Sequence, residues 1–307
     1  MTEALNKSIL NKVSQQKKNY GFQTNVFECY FYHSNEKPMQ SGKLTFIGLG
    51  LFDETDMSLK AQQAMQEAEI IFAEFYTSIL MGTSITKLEK IINKKINVLS
   101  RKQTEQETTI IDTAKTKNVC FITGGDSLTA TTHVDLRVQA IKNGIKTQVI
   151  HGTSILTAVP GLLGLQHYKF GRTTTLVYPE GNYFPMSPYD VILANQQNKL
   201  HTLVLLDIQA EKKRFMTASE AIQLLIRMEG KKGKKLITDD TIIAVVGQAG
   251  STQPLVKADT LKHLETTDFG PPLQSMVLPG DLHFMEIEAL HFLADLPLSI
   301  AQKLQKI

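Results

Sequence analysis

Cysteine is scarce in this chain: there are two in 307 residues, Cys29 and Cys120, in neither a CxxC pair nor a zinc-ligand spacing. Both are expected to be reduced, inert thiols. Long apolar runs are missing too. None approaches the roughly 20 residues that cross a bilayer, and Met1–Leu10 has no apolar stretch ahead of a small-residue cleavage site. A membrane span and a signal peptide are therefore not expected, and the cytoplasm is the default compartment. Neither sign of charge is in excess, because 33 Lys and Arg against 30 Asp and Glu leave +3, too little to point to nucleic acid. The eight histidines include no HExxH or other close ligand pair, so no metal site is expected. No Ser–His–Asp order stands out, and there are no internal repeats.

What remains is an ordinary globular composition, 42% hydrophobic and 21% charged. The length suits one large or two medium domains, and two are expected. Residues 1–42 differ from the rest. They are Lys-rich and polar to Tyr20, then aromatic at Phe27, Tyr30, Phe31 and Tyr32, and they end in Asn35-Glu36-Lys37-Pro38 and Ser41-Gly42. This stretch reads either as an N-terminal extension or as residues upstream of a start at Met39.

From Leu44 onward, short apolar runs alternate with helical patterns. Leu44–Leu49, Ile70–Ala73, Ile96–Leu99, Val119–Thr123 and Thr147–Ile150 read as strands. Helices are expected after Asp56 or Ser58, near Ser84–Asn93, over Glu105–Thr116 and over Thr131–Asn143, with Gly144 as a C-cap. Ile85, Leu88, Ile91 and Ile92 fall on one helical face. This rhythm predicts an α/β fold with an open, largely parallel sheet covered by helices on both faces. A second series begins after the glycine-rich stretch His151–Gly171, with strands Thr173–Tyr178, Leu200–Leu206 and Ile242–Gly247. Its helices are expected near Ser187–Asn198, Ala218–Met228 and Leu282–Leu296. The boundary falls near Leu163–Gly171, giving domains 43–165 and 166–307. The run Lys231, Lys232, Lys234, Lys235 reads as a solvated turn, with a surface for an acidic partner as the alternative.

Three loops carry the chemistry. Gly48-Leu-Gly-Leu-Phe-Asp53 follows the first strand, and its two glycines let another backbone or a ligand approach closely. It is not a dinucleotide fingerprint, because Asp53 stands where the third glycine belongs, although Glu74 loosely fits the acidic position of that motif. Gly124-Gly125-Asp126-Ser127 lies at the carboxyl end of a strand, where open α/β sheets bind ligands. Asp126 there either accepts hydrogen bonds from a ribose or an ammonium, or caps the helix that follows. His151-Gly-Thr-Ser154-Ile155 occupies the equivalent place after the fifth strand, with a hydroxyl and a helix start.

Taken together, the blocks Phe46–Leu51, Ala73–Ser78, Gly125-Asp126 with Ala130–Asp135, and Ser154-Ile155 resemble those of the diphthine synthases in content, order and spacing. The likeness continues through Gly164–Gly171, His201–Asp207, Phe269-Gly270 with Pro272-Leu273, and Phe284–Leu290. Only residues 1–42 lie outside it. The resemblance implies two α/β domains of the tetrapyrrole-methylase-like type and a homodimer, with S-adenosyl-L-methionine in the interdomain cleft. It implies cofactor contacts at Leu51, Asp126, Thr129, Ser154, Ile155, Leu206, Ala249 and Gln274. Leu51, Asp126, Ser154, Ile155 and Leu206 match the family's residue types. Thr129, Ala249 and Gln274 are carried by position, Gln274 standing where the family usually has histidine and Ser127 where it commonly has proline. A glutamine there can still hydrogen-bond the adenine or ribose, so at most an altered cofactor affinity is expected.

By the same resemblance the methyl acceptor is the amino group of an aminocarboxypropyl-modified histidine on translation elongation factor 2, methylated on the way to diphthamide. No general base is identified in the sequence, and none is expected to be dedicated. Methylation of a tetrapyrrole or other small molecule, and a non-catalytic adaptor that binds the elongation factor, stay open as alternatives. The loop Pro179–Pro188, with Tyr178, Tyr183 and Phe184, reads either as a dock for the protein substrate or as a structural loop.

Overall fold

The first strand, β1 (Lys43–Gly48), is apolar at most positions because it is buried on both faces of a parallel sheet. In the computed structural model, which describes residues 42–306, it is followed by α1 (Leu59–Glu67), β2 (Ile70–Glu74), α2 (Ile85–Ile92) and β3 (Ile96–Leu99). Then come the short helices α3 (Arg101–Glu105) and α4 (Thr109–Ala114), β4 (Asn118–Thr123), α5 (His133–Lys142) and β5 (Lys146–Ile150). The five strands form an all-parallel sheet in the order β3-β2-β4-β1-β5. Alternate side chains of β1 go to opposite cores. Ile47 packs with Met65 of α1 and with Leu88 and Ile92 of α2, whereas Leu44 and Phe46 pack with Ile110 of α4 and Leu136 of α5. The chain thus leaves β1 and β4 toward opposite faces, which makes their carboxyl ends the topological switch point.

The second half runs through α6 (Ile155–Leu163), β6 (Thr174–Leu176), α7 (Ser187–Gln197), β7 (Thr202–Leu206) and a small hairpin, β8 (Ile208–Gln209) with β9 (Arg214–Phe215). It continues with α8 (Ala218–Lys232), β10 (Ile242–Gly247), β11 (Leu255–Thr260), α9 (Leu261–Leu264), β12 (Gln274–Leu278), α10 (Phe284–Leu293) and α11 (Leu298–Leu304). Its sheet order is β11-β10-β12-β7-β6. Only β6 and β7 are parallel; the other pairs are antiparallel. One face packs on α7 and α8, the other on α6, α10 and α11. Residues 42–306 lie within one compact unit.

The structure departs from the sequence reading in four places. The expected helix Glu105–Thr116 is two short helices, the first begun by a capping box between Ser100 and Gln103. The parallel expectation holds for the first sheet, whereas the second is mixed and contains β11 and β12, which no reading of the sequence anticipated. Of the expected apolar face of α2, Leu88 and Ile92 are buried while Ile85 is exposed. Ser58, not Asp56, caps α1; the Asp56 carboxylate accepts from the amides of Leu51, Phe52 and Asp53 instead. The readings made on Cys29, Phe27–Tyr32 and Met39 lie outside the described residues. Cys120 is buried under α1, and burial pushes its thiol up to about 12.

Candidate functional site

Three loops meet at the switch point through their backbones. A Cβ on Gly48 would stand 2.4 Å from the Gly125 carbonyl oxygen and 2.6 Å from the Gly152 nitrogen, so only glycine lets the three strand ends close together. Gly50 and Gly125 exchange two backbone hydrogen bonds, at 3.2 and 2.6 Å. The close approach that these glycines permit is therefore made by the chain itself.

This frame fixes Asp126. One carboxylate oxygen accepts from the Leu128 amide at 3.1 Å and from the Thr129 hydroxyl at 3.0 Å, and the other lies 2.7 Å from Nδ1 of His151. Burial acts to raise its pKa, but these hydrogen bonds outweigh burial and hold the carboxyl below its ordinary value. Asp126 does not cap α5, whose N-terminus at Thr132 has no side-chain cap. Ser154 caps α6, its Oγ accepting from the Leu156 amide at 3.2 Å.

Facing these loops, the second half supplies an apolar wall from Leu205, Leu206, Val246, Ala249 and Leu273. Gln274 begins β12, and both ends of its amide are hydrogen-bonded. Its Oε1 accepts from the Ala218 amide at 2.7 Å, and its Nε2 donates to the carbonyls of Phe269 and Gly270 at 3.0 and 2.9 Å. The side chain ties the 269–271 loop to α8. The space between the two halves is a cavity of about 310 Å³, in the size range of small-molecule sites. All eight residues singled out in the sequence, Leu51, Asp126, Thr129, Ser154, Ile155, Leu206, Ala249 and Gln274, line it.

The cavity also has a polar floor that the sequence reading did not assign. Glu74, at the end of β2, is wholly buried. Its carboxylate accepts from the amides of Tyr76 and Thr77, both at 3.1 Å, and from the Thr77 hydroxyl. Across from it, 3.4 Å from Oε1, stands Nε2 of His133, which is 3% exposed. Nδ1 of His133 lies 3.0 Å from the Ser127 carbonyl oxygen. Around the pair, Thr123 and Thr131 line the same cavity, their hydroxyls buried and without hydrogen-bond partners. Burial, with the Glu74 charge beside it, pushes the Tyr76 phenol above its ordinary range. Arg101 stacks on the Tyr76 ring, 5.0 Å from its centroid. Glu74 and His133 both fall inside the motif blocks that carry the family resemblance, but nothing in linear order reveals that they meet. Among the described residues no group of three or more His, Cys, Asp or Glu is placed to hold a metal ion, and no helix is long and apolar enough to cross a membrane.

Comparison with known proteins gives the same direction from sequence and from shape. A family model described as tetrapyrrole (corrin/porphyrin) methylases matches residues 43–265. The diphthine synthase of Methanosphaera stadtmanae is 49% identical over 252 residues, which is 82% of this chain and 96% of the relative. That of Methanocaldococcus jannaschii is 48% identical over 255 residues, 82% of this chain and 99% of the relative. A crystal structure of diphthine synthase superposes with a TM-score of 0.77 at 38% identity, covering 84% of this chain and 98% of that one.

Proposed function

Because the chain belongs to the tetrapyrrole methylase family, and within it to the diphthine synthases, methyltransferases of diphthamide biosynthesis, we propose that its methyl donor is S-adenosyl-L-methionine and its acceptor the aminocarboxypropyl-modified histidine of translation elongation factor 2. The observation that carries this reading is the convergence of residues from the ends of both sheets on one cavity that offers polar groups and apolar surface together.

The residues fit that donor. An ionised Asp126 suits ribose hydroxyls or an ammonium, and Leu51, Ile155, Leu206 and Ala249 offer apolar surface to a flat base. When bound, the cofactor supplies a methyl group already activated on a sulfonium. The chain then has to bind, align the acceptor nitrogen with that methyl and keep water out. Thr129 and His151 hold Asp126 in place, and Gln274 fixes the loop behind the apolar wall. We further propose a cytoplasmic homodimer. What supports the dimer is the exposed apolar surface of α10 and α11, at Phe284, Phe292, Leu293 and Leu298.

The test is methyl transfer from labelled S-adenosylmethionine to elongation factor 2 carrying the aminocarboxypropyl-histidine, with unmodified factor and a tetrapyrrole precursor alongside. Label on the modified factor alone is the expected result. Label on the tetrapyrrole alone would move the chain to small-molecule chemistry, and cofactor binding with no label anywhere would leave the acceptor assignment without support.

A further inference from the structure

We propose that Glu74 and His133 form the proton-accepting floor of the acceptor subsite: they receive the proton that the acceptor's ammonium must lose before its nitrogen can attack, while Arg101 takes the acceptor's carboxylate. This rests on the proposed reaction and deepens it.

The geometry of the pair carries the argument. A carbonyl oxygen only accepts, so the bond to Ser127 places a hydrogen on Nδ1 of His133. In the neutral ring Nε2 then presents a lone pair, and it faces a carboxylate oxygen at 3.4 Å. Two acceptors face each other across that gap, so the pair is completed by one proton or by an N–H donor from the cavity. Glu74 is held in this orientation by Tyr76 and Thr77. The buried, unpartnered hydroxyls of Thr123 and Thr131 make the same floor receptive to a polar group. The ionisable groups around the cavity are Glu74, Tyr76, Arg101, Asp126, His133 and Asp207, with His151 on Asp126. Asp126 is engaged by three donors, and Asp207 accepts from the Tyr178 amide and the Gln209 side chain. Only the Glu74–His133 pair combines two facing acceptors. Among the described residues the Arg101 guanidinium has no carboxylate partner; it is exposed at the cavity rim and stacked on Tyr76, ready for an anion.

An N–H bond of the acceptor ammonium breaks and its proton passes to the pair, between Nε2 and Oε1. The electron pair left on nitrogen forms the new N–C bond, and the electrons of the methyl–sulfur bond stay on sulfur. The positive charge moves from sulfur to nitrogen, and one proton per methyl leaves the pair for solvent while the nitrogen still bears hydrogen.

The experiment compares wild type, Glu74→Gln, Glu74→Asp, His133→Asn and Arg101→Gln by methyl transfer to the modified elongation factor across pH 6 to 10 in roughly unit steps, chosen to span amine ionisation. In parallel, binding of S-adenosylhomocysteine and of the modified factor is measured at equilibrium. Asparagine at 133 keeps an amide donor for Ser127, so the second variant guards against a folding defect in the first. Expected are a loss of about a hundredfold in rate at neutral pH for Glu74→Gln and His133→Asn, recovery toward wild type as pH rises, partial rescue by Glu74→Asp, and unchanged S-adenosylhomocysteine affinity. Arg101→Gln should weaken binding of the modified factor without altering that of S-adenosylhomocysteine. A parallel loss of cofactor affinity would assign the pair to the cofactor instead, and wild-type pH profiles in both variants would remove its role in proton transfer. If wild type labels no elongation factor, the functional reading fails and the proposal with it, an outcome visible before any variant is compared.

Discussion

Glu286 and His201 meet at 3.1 Å in the second half of the chain, Glu74 and His133 at 3.4 Å in the first, and all four side chains are at most 3% exposed. The chemistry of the two pairs is otherwise opposite. Nδ1 of His201 accepts from the Gly280 amide at 2.9 Å, so its hydrogen is on Nε2 and points at Glu286. Glu286 also accepts from the Gln166 and His283 amides, each at 2.9 Å, and pairs with Lys169. Both of its oxygens are engaged, and the cluster ties α10 to the segment before β6 and to β7. His133 carries a hydrogen on the other nitrogen, so that in the neutral ring it is the lone pair of Nε2 that faces the carboxylate. A completed network holds a fold together; an incomplete one at a cavity wall is arranged for something that arrives.

The largest effect expected from this contrast is on stability. Glu286→Gln leaves Lys169 without its counter-charge and should cost about 3–5 kcal/mol, read from the urea midpoint at unchanged slope, with turnover per folded molecule unaltered. The same cluster sets an acid limit. Burial acts to raise the Glu286 pKa, but Lys169, the two amides and His201 hold it down to about 2 against an ordinary 4.5. A value depressed in the folded state gives stability that is complete above pH 4.5 and lost as pH falls toward 2. Burial also lowers the His201 pKa from 6.5, so the unfolded chain takes up that proton first and stability falls further below pH 6.5. In Glu286→Gln the decline below pH 4.5 should flatten.

How far the sequence discloses this arrangement differs between the halves. Strands buried on both faces of the parallel sheet are nearly continuous apolar runs, such as Val119–Thr123, and they are legible as such. β12 is just as buried, but it opens with Gln274 and Ser275 after two prolines, so its pattern looks like a loop. β11 is announced by the turn residues Gly250-Ser251 and Pro254, but it carries Lys257 and Asp259 among its apolar residues and so does not read as a continuous apolar run. For the site, the loops at the switch point follow from strand order, and the remaining lining residues follow from family resemblance. The Glu74–His133 pair follows from neither, because it depends on β2 lying beside β4 and on the start of α5 folding back over that edge.

Next in size is Gln274, the apolar wall's counterpart to the polar floor. Gln274→Leu keeps much of the volume but strands the buried Ala218 amide and the Phe269 and Gly270 carbonyls. A loss of about 1–3 kcal/mol in unfolding free energy is expected. Asp126→Asn tests the opposite wall. Its carboxyl lies below its ordinary value of 3.8, so it stays ionised throughout the neutral range. Replacing the charge should weaken S-adenosylhomocysteine binding about tenfold by calorimetry, since charged hydrogen bonds contribute about 1.5–3 kcal/mol. An unchanged affinity would leave Asp126 as a brace for the loop alone.

The smallest expected change is the one that separates the two pairs most sharply. In Glu74→Gln the amide oxygen can still accept from the Tyr76 and Thr77 amides, while the new N–H faces Nε2 of His133, which has no partner in the wild type, and the Thr77 hydroxyl loses its acceptor. The substitution removes a buried charge and exchanges one hydrogen bond for another, so unfolding free energy should change by no more than about 1 kcal/mol. Denaturant unfolding of this variant beside Glu286→Gln, under identical conditions, checks it. A loss of about 3 kcal/mol or more would make Glu74 a second structural staple, and the distinction between a completed and a waiting pair would collapse. A neutral or raised stability joined to slowed methyl transfer would show that the first pair is kept unsatisfied at the expense of nothing the fold requires.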